Sequence, residues 1–165
     1  MSRPTLRAVT STKPRVGVSA CLIGREVRYD GGHRWTPDVA ALADVAELVP
    51  VCPEDEVGMG TPREPIHITR DGRLLGVESG TDHTYAMNAW AAQRLTGLAD
   101  LDGYVLKARS PSCGLVGAAS TGGRGIFAQR LTETYPDLPV TDEEHLDVEF
   151  VERVLERWRS RRATP

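Results

Sequence analysis

Long hydrophobic runs are missing from this chain. In 165 residues no apolar stretch approaches the ~18 that a bilayer-spanning helix needs, so no membrane association is expected. Met1 to Arg15 holds no apolar signal core and no acidic residue. Arg3, Arg7, Lys13 and Arg15 make residues 1–14 a flexible basic arm, and the absent signal points to a cytoplasmic protein. An excess of positive charge is missing too. A net charge of −3 argues against nucleic acid as a partner, because phosphate contacts dominate such affinity. Neither G-x-x-x-x-G-K-[ST] nor G-x-G-x-x-G occurs, so there is no phosphate loop. Cysteine is scarce: three residues, an odd number, with no CxxC pair. In a reducing compartment that excludes a disulfide framework.

What is present reads as one soluble globular domain over residues 15–162, with 40% hydrophobic and 26% charged residues. Arg15 to Ala20 is a β-rich run and the expected first, central strand. Thr36 suits a helix N-cap with Pro37 behind it. Val39, Leu42, Ala43 and Ala46 then form one apolar face of a helix that runs to about Glu47. Leu48 to Val51 is the second strand. The stretch from Asp55 to Glu64 has too many glycines and prolines for a helix or strand, while Ile66 to Leu75 alternates around Asp71-Gly72 as a hairpin does. A long helix is predicted from about His83 to Leu95, with Ala86, Ala89 and Trp90 facing inward. Gly103 to Leu106 is the third core strand. A helix from about Ile126 leads to Leu138-Pro139-Val140 as an edge strand, and Thr141 with Glu144 forms a capping box before a final helix whose core face is Val151, Val154, Leu155 and Trp158. Strands alternating with helices predict an α/β fold: a Rossmann-like, mostly parallel sheet flanked by helices, with a small β-hairpin.

Each cysteine stands at the exit of a different strand, beside a residue that stops it: Cys21 before Leu22-Ile23-Gly24, Cys52 before Pro53, Cys113 before Gly114. In a doubly wound sheet such ends lie side by side, roughly 5–10 Å apart, along the edge where ligands bind. Three thiolates converging there suit a metal or an iron–sulfur cluster. With no fourth cysteine, a four-iron cluster would keep one position open, as a catalytic site needs. Two other readings stand beside this one: three unrelated core cysteines, or a zinc-stabilised, non-enzymatic binding module in which His33 or His67 completes the site. Glu54 is the acid nearest a cysteine and a candidate proton relay. Ser110 is its candidate catalytic companion, able to hydrogen-bond a substrate or to hold the carboxylate. Ser112, Asp30 and Gly31 are candidate substrate contacts, although Asp30-Gly31-Gly32 also reads as a simple tight turn.

At these residues the chain resembles the thiouracil desulfurase family. The resemblance rests on Ser19-Ala20-Cys21-Leu22-Ile23-Gly24 with Arg28-Tyr29-Asp30-Gly31-Gly32, on Pro50-Val51-Cys52-Pro53-Glu54 with Thr61-Pro62-Arg63, and on Ser110-Pro111-Ser112-Cys113-Gly114, in that order across residues 15–143. It implies a compact α/β fold and a [4Fe-4S] cluster on Cys21, Cys52 and Cys113. It also implies roles for Glu54 and Ser110 in catalysis or substrate binding. The implied substrate is a thiolated pyrimidine, 2-thiouracil or a thiolated uridine nucleotide, whose sulfur the free iron would bind. The chain departs from the family's usual pattern at Asp55 to Gly60, where an apolar run with paired glycines is common, and it is shorter after Gly114. The expected reaction is a non-redox hydrolysis of C=S to the oxo base and sulfide, with water activated by Glu54 and with Ser110 bonding the base or steadying Glu54. A tRNA sulfur-transfer enzyme would use a similar open iron in the opposite direction. It would need an ATP-binding S-G-G-x-D-S loop, which this chain lacks.

Overall fold

A computed structural model of the protein describes residues 11–116 and 123–164, so most of the basic arm expected over residues 1–14 lies outside the described residues. Strand β1 (Arg15–Ser19) forms the middle of a four-stranded sheet with β2 (Glu47–Val51), β5 (Gly103–Leu106) and β6 (Val140–Asp142). The order is β2-β1-β5-β6 and every pairing is parallel. Parallel neighbours need crossovers, and these are helical. A two-stranded antiparallel hairpin, β3 (Ile66–Ile68) and β4 (Leu74–Gly76), stands apart from this sheet. The fold is therefore the α/β architecture that the alternating pattern predicts.

The two faces of the sheet carry separate cores. Val16, Val18 and Val105 pack with Val39 of α1 (Pro37–Ala41) and with Phe150 and Val154 of α5 (Val148–Ala163). Tyr104 and Leu106 point the other way, onto Ala91 and Leu95 of α3 (Thr84–Thr96) and Phe127 and Leu131 of α4 (Ile126–Thr134). Alternation along each strand thus feeds both layers. Two glycines make the layers close enough. A Cβ on Gly17 would stand 2.3 Å from the Tyr104 ring, and one on Gly103 would stand 2.5 Å from Val154 Cγ2. No helix among the described residues is long and apolar enough to cross a membrane.

Several local expectations need correction. The helix expected to reach Glu47 stops at Ala41 and tightens into a 3-10 turn, Leu42–Asp44, because β2 already begins at Glu47; Ala43 is left exposed. Running into the start of the stretch read as irregular, Asp55 to Glu64, Pro53–Glu56 forms a single helical turn, α2. Pro53 occupies its first position, and Glu56 reaches back to accept the Cys52 N–H at 3.1 Å. In α3 the buried stripe is Met87, Ala91 and Leu95, while Ala86 and Ala89 face solvent and Trp90 is half-buried against Phe127. The buried face is thus a turned neighbour of the predicted one, since consecutive helical residues point about 100° apart. The edge strand lies at Val140–Asp142, so Pro139 only precedes it and lends its carbonyl to the Tyr104 N–H. Thr141 sits inside that strand rather than in a capping box. Asp147 caps α5 instead, accepting the Phe150 N–H at 2.9 Å.

Candidate active site

β1, β2 and β5 end at one edge of the sheet, and each exit is shaped by its own local device. After Ser19 the chain winds into a 3-10 turn, Ala20–Ile23, which carries Cys21 and is closed by Gly24 in the left-handed region. After Val51, Cys52 is the residue before α2, so Pro53 turns the chain while Glu54 and Asp55 ride on the first helical turn. After Leu106 the chain runs through Lys107 to Cys113, and this loop is held from both sides. The Ser110 hydroxyl oxygen accepts the N–H groups of Ser112 (3.2 Å) and Cys113 (3.1 Å). From the opposite side, the first turn of α4 grips it: the Ile126 N–H donates to the Pro111 carbonyl, and the Phe127 and Ala128 N–H groups both donate to the Ser112 carbonyl.

The three exits enclose one cavity of about 300 Å³, and Cys21, Cys52 and Cys113 all line it. That is the small end of ligand sites, suited to a single-ring molecule. Cys113 is buried and the other two are half-buried. Burial pushes the Cys21 thiol up to about 11, and the neighbouring Cys52 adds to the shift. Burial likewise raises Cys52, and it raises Cys113 well above the ordinary thiol value, with Cys52 and Cys21 contributing. Three thiols whose ionisation is opposed first by burial need a positive centre to become thiolates, and a bound metal provides that.

The donor set suits a cluster rather than a single ion. Among the described residues no group of three or more His, Cys, Asp or Glu side chains could hold one metal ion. His33 is exposed and accepts the Trp35 N–H at 3.0 Å, and His67 is exposed on β3, so neither completes a zinc cage around the thiols. A cubane instead spaces its cysteine sulfurs by about 6–7 Å. All-thiol donors spread round one cavity fit that chemistry.

Glu54 lines the cavity with its carboxylate engaged on both oxygens. Arg63 donates to Oε2 from Nε (2.9 Å) and Nη2 (2.6 Å), and the Ser112 hydroxyl donates to Oε1 at 3.0 Å. Ser112 rather than Ser110 therefore touches Glu54. The Ser110 oxygen is spent on backbone N–H groups, which leaves its own hydrogen free for the cavity it lines. Ser112 is 1% exposed with its proton already given to Glu54. Asp30 and Gly31 are not brought to the cavity. The Asp30 carboxylate accepts the Gly32 N–H at 2.9 Å, and Gly31 takes φ 80° in a turn closed by its N–H on the Arg28 carbonyl. Of the two sequence readings of that stretch the tight turn is the one observed, and its neighbours Arg28 and Tyr29 line the cavity instead. Lys107 is a lining residue as well, paired with Glu143 at 2.5 Å. No role for Arg63 or Lys107 followed from the sequence, although Arg63 stands in the Thr61-Pro62-Arg63 motif. Arg63 lies on a Gly- and Pro-rich loop, and Glu143 reaches Lys107 from just past the end of β6.

A family model described as 2-thiouracil desulfurase matches residues 16–143 of this chain. YbbK, an uncharacterized protein of Bacillus subtilis (strain 168), is 37% identical over 107 residues, covering 59% of this chain and 71% of that protein. Among solved structures, a [4Fe-4S]-dependent thiouracil desulfidase, TudS, superposes with a TM-score of 0.68 at 30% identity, over 87% of this chain and 97% of that one.

Proposed function

The chain belongs to the 2-thiouracil desulfurase family, and on that premise we propose that it removes the sulfur of a thiolated pyrimidine, 2-thiouracil or a thiouridine nucleotide, giving the oxo base and sulfide. The observation that carries this reading is the meeting of three strand-end thiols and one clamped carboxylate on a single cavity. Cys21, Cys52 and Cys113 would hold the cluster. When bound, it supplies a Lewis-acidic iron with a position open to the substrate's sulfur.

The remaining chemistry falls to this chain's own groups. Glu54 takes a proton from the water that adds to the thiocarbonyl carbon, and that proton passes on to the departing sulfur. The balance is C=S plus H₂O to C=O plus H₂S, so no oxidant or reductant is consumed. Ser110, its oxygen already accepting two N–H groups, donates its hydrogen to the ring of the base. The small, partly apolar cavity, with Val27, Tyr29 and Pro111 in its wall, suits the flat pyrimidine ring that both candidate substrates share.

The test is anaerobic. Protein purified without oxygen should convert 2-thiouracil to uracil with matching sulfide release, and each of Cys21→Ser, Cys52→Ser and Cys113→Ser should abolish both. Protein that binds zinc without iron and leaves 2-thiouracil untouched would turn the reading over to a binding module.

A further inference from the structure

Arg63 has five N–H donors, and all five are used. Nε and one hydrogen of Nη2 go to Oε2 of Glu54. The other Nη2 hydrogen goes to the Val27 carbonyl at 2.8 Å. Nη1 donates to the Gly60 carbonyl at 2.7 Å and to Thr61 Oγ1 at 3.1 Å. Its side chain is 6% exposed and that of Glu54 13%. The guanidinium thus joins the segment after Cys21, the turn after Cys52 and its own loop, with no donor left over and almost no water around it.

The acceptor side can be counted in the same way. A carboxylate offers about four lone-pair positions, two on each oxygen. On Oε2 both are taken by Arg63, and on Oε1 one is taken by the Ser112 hydroxyl. A single position remains, on Oε1, in a residue that lines the cavity.

We propose that Arg63 and Ser112 are the positioning residues of this site, a clamp that withdraws Oε2 from the chemistry and presents the last lone pair of Oε1 as the proton acceptor. The clamp rests on the role given to Glu54 above and goes beyond it by assigning which oxygen acts and what aims it. Each works through Glu54. Lysine cannot replace Arg63, because its three donors sit on one nitrogen and cannot hold an oxygen from two fixed directions.

The experiment uses cluster-loaded protein and follows uracil release from 2-thiouracil anaerobically, normalised to iron content. It compares Arg63→Lys, Ser112→Ala, Glu54→Gln and each double variant with Glu54→Gln. Arg63→Lys should lower kcat by about 10–100-fold, the cost of misplacing a reacting group by roughly 1 Å, with KM unchanged within about twofold. Its visible cluster absorbance should match the wild type. In the Glu54→Gln background the same change should cost less than about threefold, because no base remains to be aimed. An arginine that merely held the loop together would instead lower cluster content and melting temperature, and its loss would multiply with that of Glu54→Gln. Wild-type kcat in Arg63→Lys alongside a slow Glu54→Gln overturns the clamp while leaving the proposed reaction in place. Wild-type turnover in Glu54→Gln removes the base and the clamp together. Should Arg63→Lys fail to take up the cluster, Ser112→Ala reads the same clamp from Oε1, and an unchanged kcat there overturns it.

Discussion

Replacing Glu54 by glutamine separates the chemistry of the site from its architecture. Glutamine has the same shape and keeps one carbonyl oxygen. That oxygen can face Arg63 and accept the two N–H groups that now reach Oε2, while the amide NH₂ turns to Ser112 Oγ, which can accept as readily as donate. The hydrogen-bond count is preserved and the charge is lost. Both partners are nearly buried, with side chains 6% and 13% exposed. Exchanging charged for neutral acceptors should therefore cost about 2 kcal/mol, or roughly 4–8 °C in Tm for a domain of this size. Glu54→Ala, which strands the guanidinium, should cost about 3–5 kcal/mol. None of the cysteines is touched, so the glutamine variant should keep full iron content and the brown colour of the wild type. Turnover of 2-thiouracil should nevertheless fall by roughly 10²–10⁴-fold, the contribution of a positioned acid or base. The assay is anaerobic uracil and sulfide release per cluster. Among the described residues Glu54 is the only Asp or Glu lining the cavity, and Asp30 lies outside it. A wild-type rate in a cluster-loaded Glu54→Gln would thus leave the cavity without any carboxylate base and refute the proton relay altogether.

Other outcomes are equally open to measurement. Anaerobically purified protein should hold about four irons per chain, and full iron loading in all three single Cys→Ser variants would refute the three-cysteine site. Gly17→Ala should destabilise the domain by about 1–3 kcal/mol in urea, because its Cβ would stand 2.3 Å from the Tyr104 ring in a filled core; an unchanged midpoint would show that the ring can move aside. His145 should titrate by NMR above the ordinary value of 6.5, chiefly through its hydrogen bond to Asp142. Because the folded value is the raised one, this contact stabilises the fold fully below 6.5 and is lost as pH rises through the folded pKa. In Asp142→Asn the His145 midpoint should fall back, and no change would mean that the pairing is absent in solution.

The sequence by itself determined the fold class and the three thiols at one sheet edge, for a physical reason that is local in range. Apolar runs bounded by Gly and Pro mark where each strand must stop, so Cys21, Cys52 and Cys113 could be placed at strand exits without knowing any contact between them. The parallel arrangement then follows from the alternation of strands and helices, and the family's motifs fall on the same three exits. Tertiary structure alone decided what each polar group at those exits touches. Ser110 and Ser112 are two residues apart on one loop, and either could have met Glu54, which lies 58 residues before Ser112. The choice depends on how α4 grips the Ser112 carbonyl and how Ser110 folds back on the N–H groups of Ser112 and Cys113. Arg63 is the same case, because its five hydrogen bonds reach three segments that only the closed fold assembles. So is α3, where Ala86, Ala89 and Trp90 looked as apolar as Met87, Ala91 and Leu95. A small-residue helix leaves its rotation to be settled by the sheet and α4 against which it packs. Periodicity places an element and its ends, whereas a side chain's partner is set by the relative rotation of elements far apart in the chain, and no spacing records that rotation.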